Sequence, residues 1–306
     1  MAENQGRGRG RPRQLLPHRG RRNRKGQPDR PAFEVGRMSG AARLLSDLKR
    51  RLSGVSRLRQ YALAAPLPVT EEMSDIERLF WSNQGPVVHK WLDYLPLYDR
   101  YLAKYRGSDV KMLEIGVYKG GSLHLWREYL GPKATIFGID INPDCASVNG
   151  IDGQVRIGSQ ADPEFLARVV REMGGVDVVL DDGSHIGRHI RASLDTLFPL
   201  LSDNGLYLIE DVHTAYSRRY DGRFSRHNFM RPLGRLTDDM HHWYHSGGQK
   251  IAATADHLLG PHIHDSLVVL EKGHKAPPAH IQVGGASIKT KAPAQAGRKT
   301  EADAQS

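Results

Sequence analysis

The chain has 306 residues and a formal charge of +10, which resembles a nucleic-acid binder until the charge is located: residues 1–30 carry +8, 31–60 carry +5, 272–306 carry +4, and 61–271 carry −7. The body is therefore an ordinary, slightly acidic domain, and its length allows a sizeable core. A single cysteine, Cys145, excludes a disulfide scaffold and a cysteine-ligated zinc or iron–sulfur centre, and no apolar run reaches the roughly 18 residues that span a bilayer.

Residues 1–37 form an Arg/Gly-rich tail that opens with Gly6-Arg7-Gly8-Arg9-Gly10-Arg11. It has almost nothing apolar to bury and is expected to be disordered, either as a tether to an anionic partner or as a plain solvated tail. No charged-then-apolar leader is visible, so a cytoplasmic protein is expected.

Residues 38–106 read as a helical N-terminal extension. Over 41–61, Leu44, Leu45, Leu48, Leu52, Val55 and Leu58 recur at helical spacing among arginines. That pattern is a basic amphipathic helix, which can lie on a membrane surface, cap a partner or pack on its own domain. Pro66 and Pro68 then break the chain before a second helical region over 71–106, with Trp91, Leu92, Leu95, Leu97, Tyr98 and Tyr101 as its apolar face.

Residues 107–273 change in texture. Short apolar runs over 111–117, 135–141, 155–157, 176–180 and 206–209 alternate with helical patterns over 121–130, 163–173 and 186–200. Such a βαβ rhythm predicts an α/β fold, a doubly wound, mostly parallel Rossmann-like sheet with ligands at the carboxyl ends of its strands. A hairpin-like unit over 262–270 closes the sheet, and residues 274–306 read as a second disordered tail.

The first strand runs through Glu114-Ile115-Gly116 into Gly120-Gly121-Ser122. Small residues suit close approach of a cofactor, but Gly-x-x-x-Gly-Gly is not the Gly-x-Gly-x-x-Gly of nicotinamide binders. Glu114 stands two residues before the turn. A carboxylate there would repel a pyrophosphate and suits a cationic ligand such as S-adenosylmethionine; otherwise it caps the next helix. Asp140, 24 residues beyond Gly116, can accept both hydroxyls of a ribose. The loop at Gln160 either reads an adenine edge or, through Asp162 before Pro163, simply caps a helix.

Strand four ends in Asp181-Asp182-Gly183-Ser184-His185 and strand five in Glu210-Asp211-Val212-His213. On neighbouring strands, these four carboxylates and a histidine share one rim, and their mutual repulsion is relieved by a hard divalent cation, most simply Mg²⁺. Alternation along a strand allows Glu210 and Asp211 to face one ion only if the strand has ended or bent there. The structural reading has these acids capping helices or pairing with Arg188 and Arg191. In His241-His242-Trp243-Tyr244-His245, two imidazoles one helical turn apart have metal-like spacing, although a partly exposed helix explains them as well.

The Glu114–Ser122 run, the Asp-Asp-Gly-Ser-His segment and the stretch from Gly205 through Glu210-Asp211 to Tyr216 together resemble the class I, S-adenosylmethionine-dependent methyltransferases of the macrocin and mycinamicin type, which methylate macrolide sugars. The resemblance covers about residues 85–272 and includes Tyr94-Leu95-Pro96-Leu97-Tyr98. Its glycine loop is shorter than in that family, and the Arg/Gly tail is foreign to it. It implies a seven-stranded sheet with a terminal antiparallel hairpin and metal ligation by Asp182, Glu210 and Asp211. It also implies His185 as general base, and a cofactor site at Glu114, Gly116, Tyr118, Ser122, Asp140, Gln160 and Asp181. His213, Thr214 and Tyr216 are expected to line the acceptor pocket. The implied activity is Mg²⁺-assisted O-methylation of a sugar hydroxyl on a glycosylated small molecule or glycan, as in antibiotic biosynthesis. A homo-oligomer stays open. The alternatives are a nucleoside-cofactor oxidoreductase on the same kind of sheet, or an RNA or other nucleic-acid methyltransferase using the basic tail.

Overall fold

The computed structural model describes residues 67–222, 224–248, 251–254 and 256–285. The Arg/Gly tail, the amphipathic helix expected over 41–61 and residues 286–306 of the expected C-terminal tail lie outside them. Residues 274–285 form no helix or strand.

Seven strands make one sheet: β1 (Lys111–Ile115), β2 (Thr135–Asp140), β3 (Gln154–Ile157), β4 (Val176–Asp181), β5 (Leu201–Ile209), β6 (Leu258–Ile263) and β7 (Val268–Lys272). Their order is β3-β2-β1-β4-β5-β7-β6. The first five run parallel, and β7 lies antiparallel between β5 and β6. The strand order reverses between β1 and β4, which is where doubly wound sheets bind ligands. Register brings three strand ends level there, with Ile115 opposite Asp181 and Asp181 opposite Ile209.

Because strand side chains alternate, the sheet has two buried faces. Leu113, Ile115, Val179, Tyr207 and Ile209 point to one, covered by α4 (Pro163–Met173), α5 (Gly187–Leu197) and α6 (Met230–Met240). Met112, Ile136, Val178, Leu180, Leu206 and Leu208 point to the other, covered by α1 (Asp75–Ser82), α2 (Leu95–Leu102) and α3 (Gly121–Leu130). The N-terminal helices thus complete one layer of the core, with Ile76, Tyr94, Leu95 and Tyr98 fully buried against the sheet.

The helical region expected over 71–106 is divided. Its first piece starts at a capping box, Ser74 with Glu77, and stops at Asn83, whose backbone is extended. Gly85 and Pro86 follow. Proline has no N–H to continue a helix and disfavours helical geometry in the residue before it. The chain then crosses the carboxyl ends of the strands without regular structure until a short 3₁₀ turn at Leu92–Tyr94. That crossing matters for the site.

Candidate active site

Alternation on the strands sorts the rim carboxylates. Leu180 points to the face covered by α1–α3, so Asp181 points to the opposite one and Asp182 points back. Glu210, following Ile209, shares the face of Leu208. Glu114, between Leu113 and Ile115, lies there too. Three of the acids therefore gather beneath the N-terminal crossing, and Asp181 does not.

Asp181 is buried, 1% exposed. Its carboxylate accepts from Ser193 Oγ at 2.6 Å, Gln160 Nε2 at 3.0 Å and Tyr207 Oη at 3.3 Å. Burial pushes its carboxyl up from the usual range, against these hydrogen bonds. Gln160 spends its other end on the Ser184 backbone N–H, at 2.7 Å. Both residues, expected at the cofactor, are committed to the interior.

On the other face lies a residue that the sequence reading did not single out. The Lys90 side chain is 2% exposed. Its ammonium donates to Asp182 Oδ2 at 2.5 Å and to the Glu210 oxygens at 2.9 and 3.0 Å, and stands 4.0 Å from Glu114 Oε1. Burial works against the lysine's charge, but Asp182, Glu210 and Glu114 overcome it and hold the group cationic. Burial, and next the neighbouring Asp182, push the Glu210 carboxyl up. Glu210 also accepts from Tyr98 Oη at 2.5 Å. Glu114 accepts from Ser122 Oγ at 2.8 Å and Trp126 Nε1 at 3.1 Å. Burial, opposed mainly by Lys90, pushes its carboxyl up to about 7.

The geometric condition for Asp211 is met: β5 has ended at Ile209, and Asp211 takes a left-handed φ of 56°. Asp211 Oδ1 accepts from Trp91 Nε1 and Tyr94 Oη, both at 2.9 Å. Its other oxygen lies 3.8 Å from His185 Nε2, which is also 3.9 Å from Asp182 Oδ1. His185 has φ 56° as well. Two non-glycine residues in this region, both at strand-end loops, are the kind of local strain that functional sites hold. Among the described residues, Asp182, His185 and Asp211 form the group whose ligand atoms all lie within 4.8 Å of one another. The structure therefore brings together Asp182, His185 and Asp211, while Lys90 bridges Asp182 to Glu210, which also accepts from Tyr98.

The glycine loop shows a similar difference in detail. A side chain on Gly116, which has φ 98°, would strike the Asp182 carbonyl at 2.3 Å. Glycine is demanded there by the neighbouring strand end. Asp140 Oδ2 accepts from the Val117 and Tyr118 N–H groups at 2.9 and 3.0 Å, and Oδ1 from Asn142 N–H at 2.8 Å, so the carboxylate shapes the loop. Tyr118 is exposed beside it.

Of the expected acceptor residues, His213 Nδ1 pairs with Ser266 Oγ, and its ring meets Trp91 edge-on at 5.6 Å. Tyr216 is exposed. Thr214 is buried, and its hydroxyl donates to the Asp211 carbonyl at 2.7 Å, so it supports the loop from within. In the histidine-rich stretch, α6 ends at Met240, His242 turns to the Asp239 carbonyl and Asp256, and His245 turns to the Asp238 carbonyl. The signal for Lys90 was available: several acids converging on a buried rim require a cation, and Lys90 directly precedes the aromatic run Trp91–Tyr98.

The strand order, the glycine turn after β1 and the acidic rim after β4 and β5 define a Rossmann-like class I methyltransferase fold. Residues 113–212 match the family model described as a methyltransferase domain, and the chain carries that domain. It is similar to macrolide- and polyketide-sugar O-methyltransferases. It is 36% identical over 224 residues to the 8-demethyl-8-(2-methoxy-alpha-L-rhamnosyl)-tetracenomycin-C 3'-O-methyltransferase of Streptomyces olivaceus, covering 68% of this chain and 56% of that protein. It is 34% identical over 215 residues to the mycinamicin VI 2''-O-methyltransferase of Micromonospora griseorubida, covering 66% and 53%. The solved structure of MycE methyltransferase in complex with Mg, SAH and mycinamycin VI superposes with a TM-score of 0.56 at 33% identity, over 61% of this chain and 50% of that one. The chain spans about half the length of the curated relatives it matches. The oxidoreductase and nucleic-acid alternatives find no support among them.

Proposed function

We propose that this protein is an S-adenosylmethionine-dependent, Mg²⁺-assisted O-methyltransferase acting on a sugar hydroxyl of a glycosylated small molecule, with His185 as general base. The observation that carries the reading is the convergence of Asp182, His185 and Asp211 within 4.8 Å at the switch point of the sheet. Two carboxylates with a third in reserve at Glu210 are a hard-oxygen donor set and fit Mg²⁺. When bound, the ion would supply positive charge that lowers the pKa of an acceptor hydroxyl. The glycine loop, Asp140 and exposed Tyr118 fit the nucleoside part of S-adenosylmethionine, which would supply an electrophilic methyl group on a cationic sulfur. Glu114 is covered by Ser122 and Trp126, so it acts on a cofactor through its field.

His185 Nε2 is beyond hydrogen-bonding distance of both neighbouring carboxylates. It is therefore available to accept the acceptor's proton, and Asp182 and Asp211 stabilise the imidazolium that forms. Trp91, 43% exposed and hydrogen-bonded to Asp211, offers a flat apolar face to a sugar ring at the mouth of the site. The names of the relatives, all sugar O-methyltransferases of polyketide glycosides, support that acceptor class.

The geometry favours a second ligand set in one respect, with His185 taking the place of Glu210 on the ion. Calorimetry separates the two: His185→Ala keeps Mg²⁺ binding if the imidazole is the base and loses it if it is a ligand. In the base reading, kcat falls by about 10²–10⁴. Turnover would be followed by mass spectrometry of a panel of glycosides incubated with S-adenosylmethionine. Full activity in excess chelator, with His185→Ala near wild type, would overturn the proposal.

A further inference from the structure

Lys90 sits where the site's positive charge belongs. It comes from the irregular crossing between α1 and α2, outside the sheet, yet its side chain is 2% exposed and its ammonium meets Asp182, Glu210 and Glu114 together. The Tyr98 ring flanks it, with the ammonium 6.0 Å from the ring centroid. The opposite face of the same rim shows that this protein can satisfy a buried carboxylate with neutral donors alone, as at Asp181. Neutral donors orient a carboxylate but leave its charge in place. An ammonium cancels part of that charge.

We propose that Lys90 is a built-in placeholder cation: in the metal-free protein it holds the rim carboxylates together, and it yields Asp182 when a divalent cation binds. This rests on the reading of the rim as a Mg²⁺ site. An ammonium and a divalent ion on one carboxylate repel each other strongly in a partly buried site. Lys90 keeps a partner when it yields Asp182, since its ammonium also bonds Glu210 at 2.9 and 3.0 Å and stands 4.0 Å from Glu114. The lysine therefore competes with the ion for Asp182 Oδ2 and weakens metal binding, while keeping the empty site from springing apart.

The test is calorimetric titration of Mg²⁺ alone, without cofactor or acceptor, into the full chain and its Lys90→Met variant. With the competing charge removed, Mg²⁺ affinity should rise by about tenfold or more. The metal-free variant should melt lower than wild type and recover more on adding Mg²⁺. A lysine with a merely structural role would lower the melting temperature without raising affinity, so equal or weaker binding overturns the proposal. If the variant does not fold, the wild type answers. With ¹⁵N-labelled lysine, the Lys90 ammonium should give a slowly exchanging signal that moves on Mg²⁺ saturation, and an unmoved signal overturns the proposal. If neither wild type nor variant binds Mg²⁺, the metal reading of the site fails as well. If wild type binds and Lys90→Met binds no tighter, the placeholder alone fails.

Discussion

Asp181 and Asp182 are adjacent in sequence and belong to different worlds. Asp181 lies on the face shared with α4–α6 and is paired with a serine, a glutamine and a tyrosine, all neutral donors. Asp182 lies on the face shared with α1–α3, where three carboxylates surround one lysine. The first cluster is complete as it stands. The second sets three carboxylates against one ammonium and opens toward solvent, with the Asp182 side chain 22% exposed. Burial alone does not separate a structural acid from a functional one. Charge balance does: hydrogen bonds all spent and no exit mark the structural acid, and a charge deficit at an opening marks the functional one.

The comparison breaks most sharply under alanine substitution. Asp182→Ala should abolish turnover while leaving S-adenosylmethionine binding and the melting temperature nearly unchanged, because Lys90 keeps Glu210 as its ion-pair partner and the rim loses one of several mutually repelling charges. Asp181→Ala should do the reverse in stability. It leaves Gln160 Nε2 and the buried Tyr207 hydroxyl without their acceptor, while Ser193 falls back on the His189 and Ile190 carbonyls, at a cost of about 2–4 kcal/mol in denaturant unfolding. If both variants lose stability equally and Asp182→Ala still turns over, the two faces do not differ in the way argued.

Much of this layout was legible in the sequence. The βαβ rhythm located the strands, and α3 and α4 begin and end at the expected residues because Gly120, Asp162, Gly131 and Gly174 bound them. The pairing of acids after β4 with acids after β5 followed from strand adjacency. What was hidden depended on three-dimensional placement. Asp181 and Asp182 could not be assigned to faces without knowing where β4 ends. The left-handed turn at Asp211 leaves no mark in an ordinary Glu-Asp pair. Lys90 was obscured because its segment reads as the middle of a helix over 71–106, where a lysine normally faces water, whereas the break at Asn83–Pro86 turns it into the interior. Trp91 and Tyr98 read as parts of one apolar face and Tyr94 only as part of the family resemblance, yet Trp91 and Tyr94 donate to Asp211 and Tyr98 to Glu210.

Asp140 sharpens the comparison at the cofactor side of the rim. It is a half-buried carboxylate satisfied by backbone N–H groups of the glycine loop, so it resembles Asp181 in its pairing and Asp182 in its access to solvent. If ribose hydroxyls bind it, Asp140→Ala should weaken S-adenosylmethionine binding by one to two orders of magnitude, roughly 1.5–3 kcal/mol. Asp140→Asn should recover part of the loss by restoring the acceptor to the loop. Unaltered affinity in the alanine variant would make Asp140 a purely structural cap, and tight NADH binding in its place would overturn the cofactor reading.

Glu114 stands between the two classes, and pH measures where it belongs. Its two oxygens have neutral donors, as at Asp181, but Lys90 lies 4.0 Å away, as for Asp182 and Glu210. Its carboxyl is pushed up from 4.5 to about 7 by burial, so the folded protein keeps a proton there that the unfolded chain has lost. The sign follows from linkage: the contribution to stability is full below about pH 4.5, declines as pH rises, and is gone above about 7. Glu114→Gln has no such proton to lose. Its unfolding free energy should therefore fall less than that of wild type between pH 5 and pH 8, by on the order of 1–3 kcal/mol. Equal pH dependence in the two proteins would mean that Glu114 is already ionised at pH 5. Lys90 would then neutralise it as fully as neutral donors satisfy Asp181, and the charge deficit would be confined to Asp182 and Glu210.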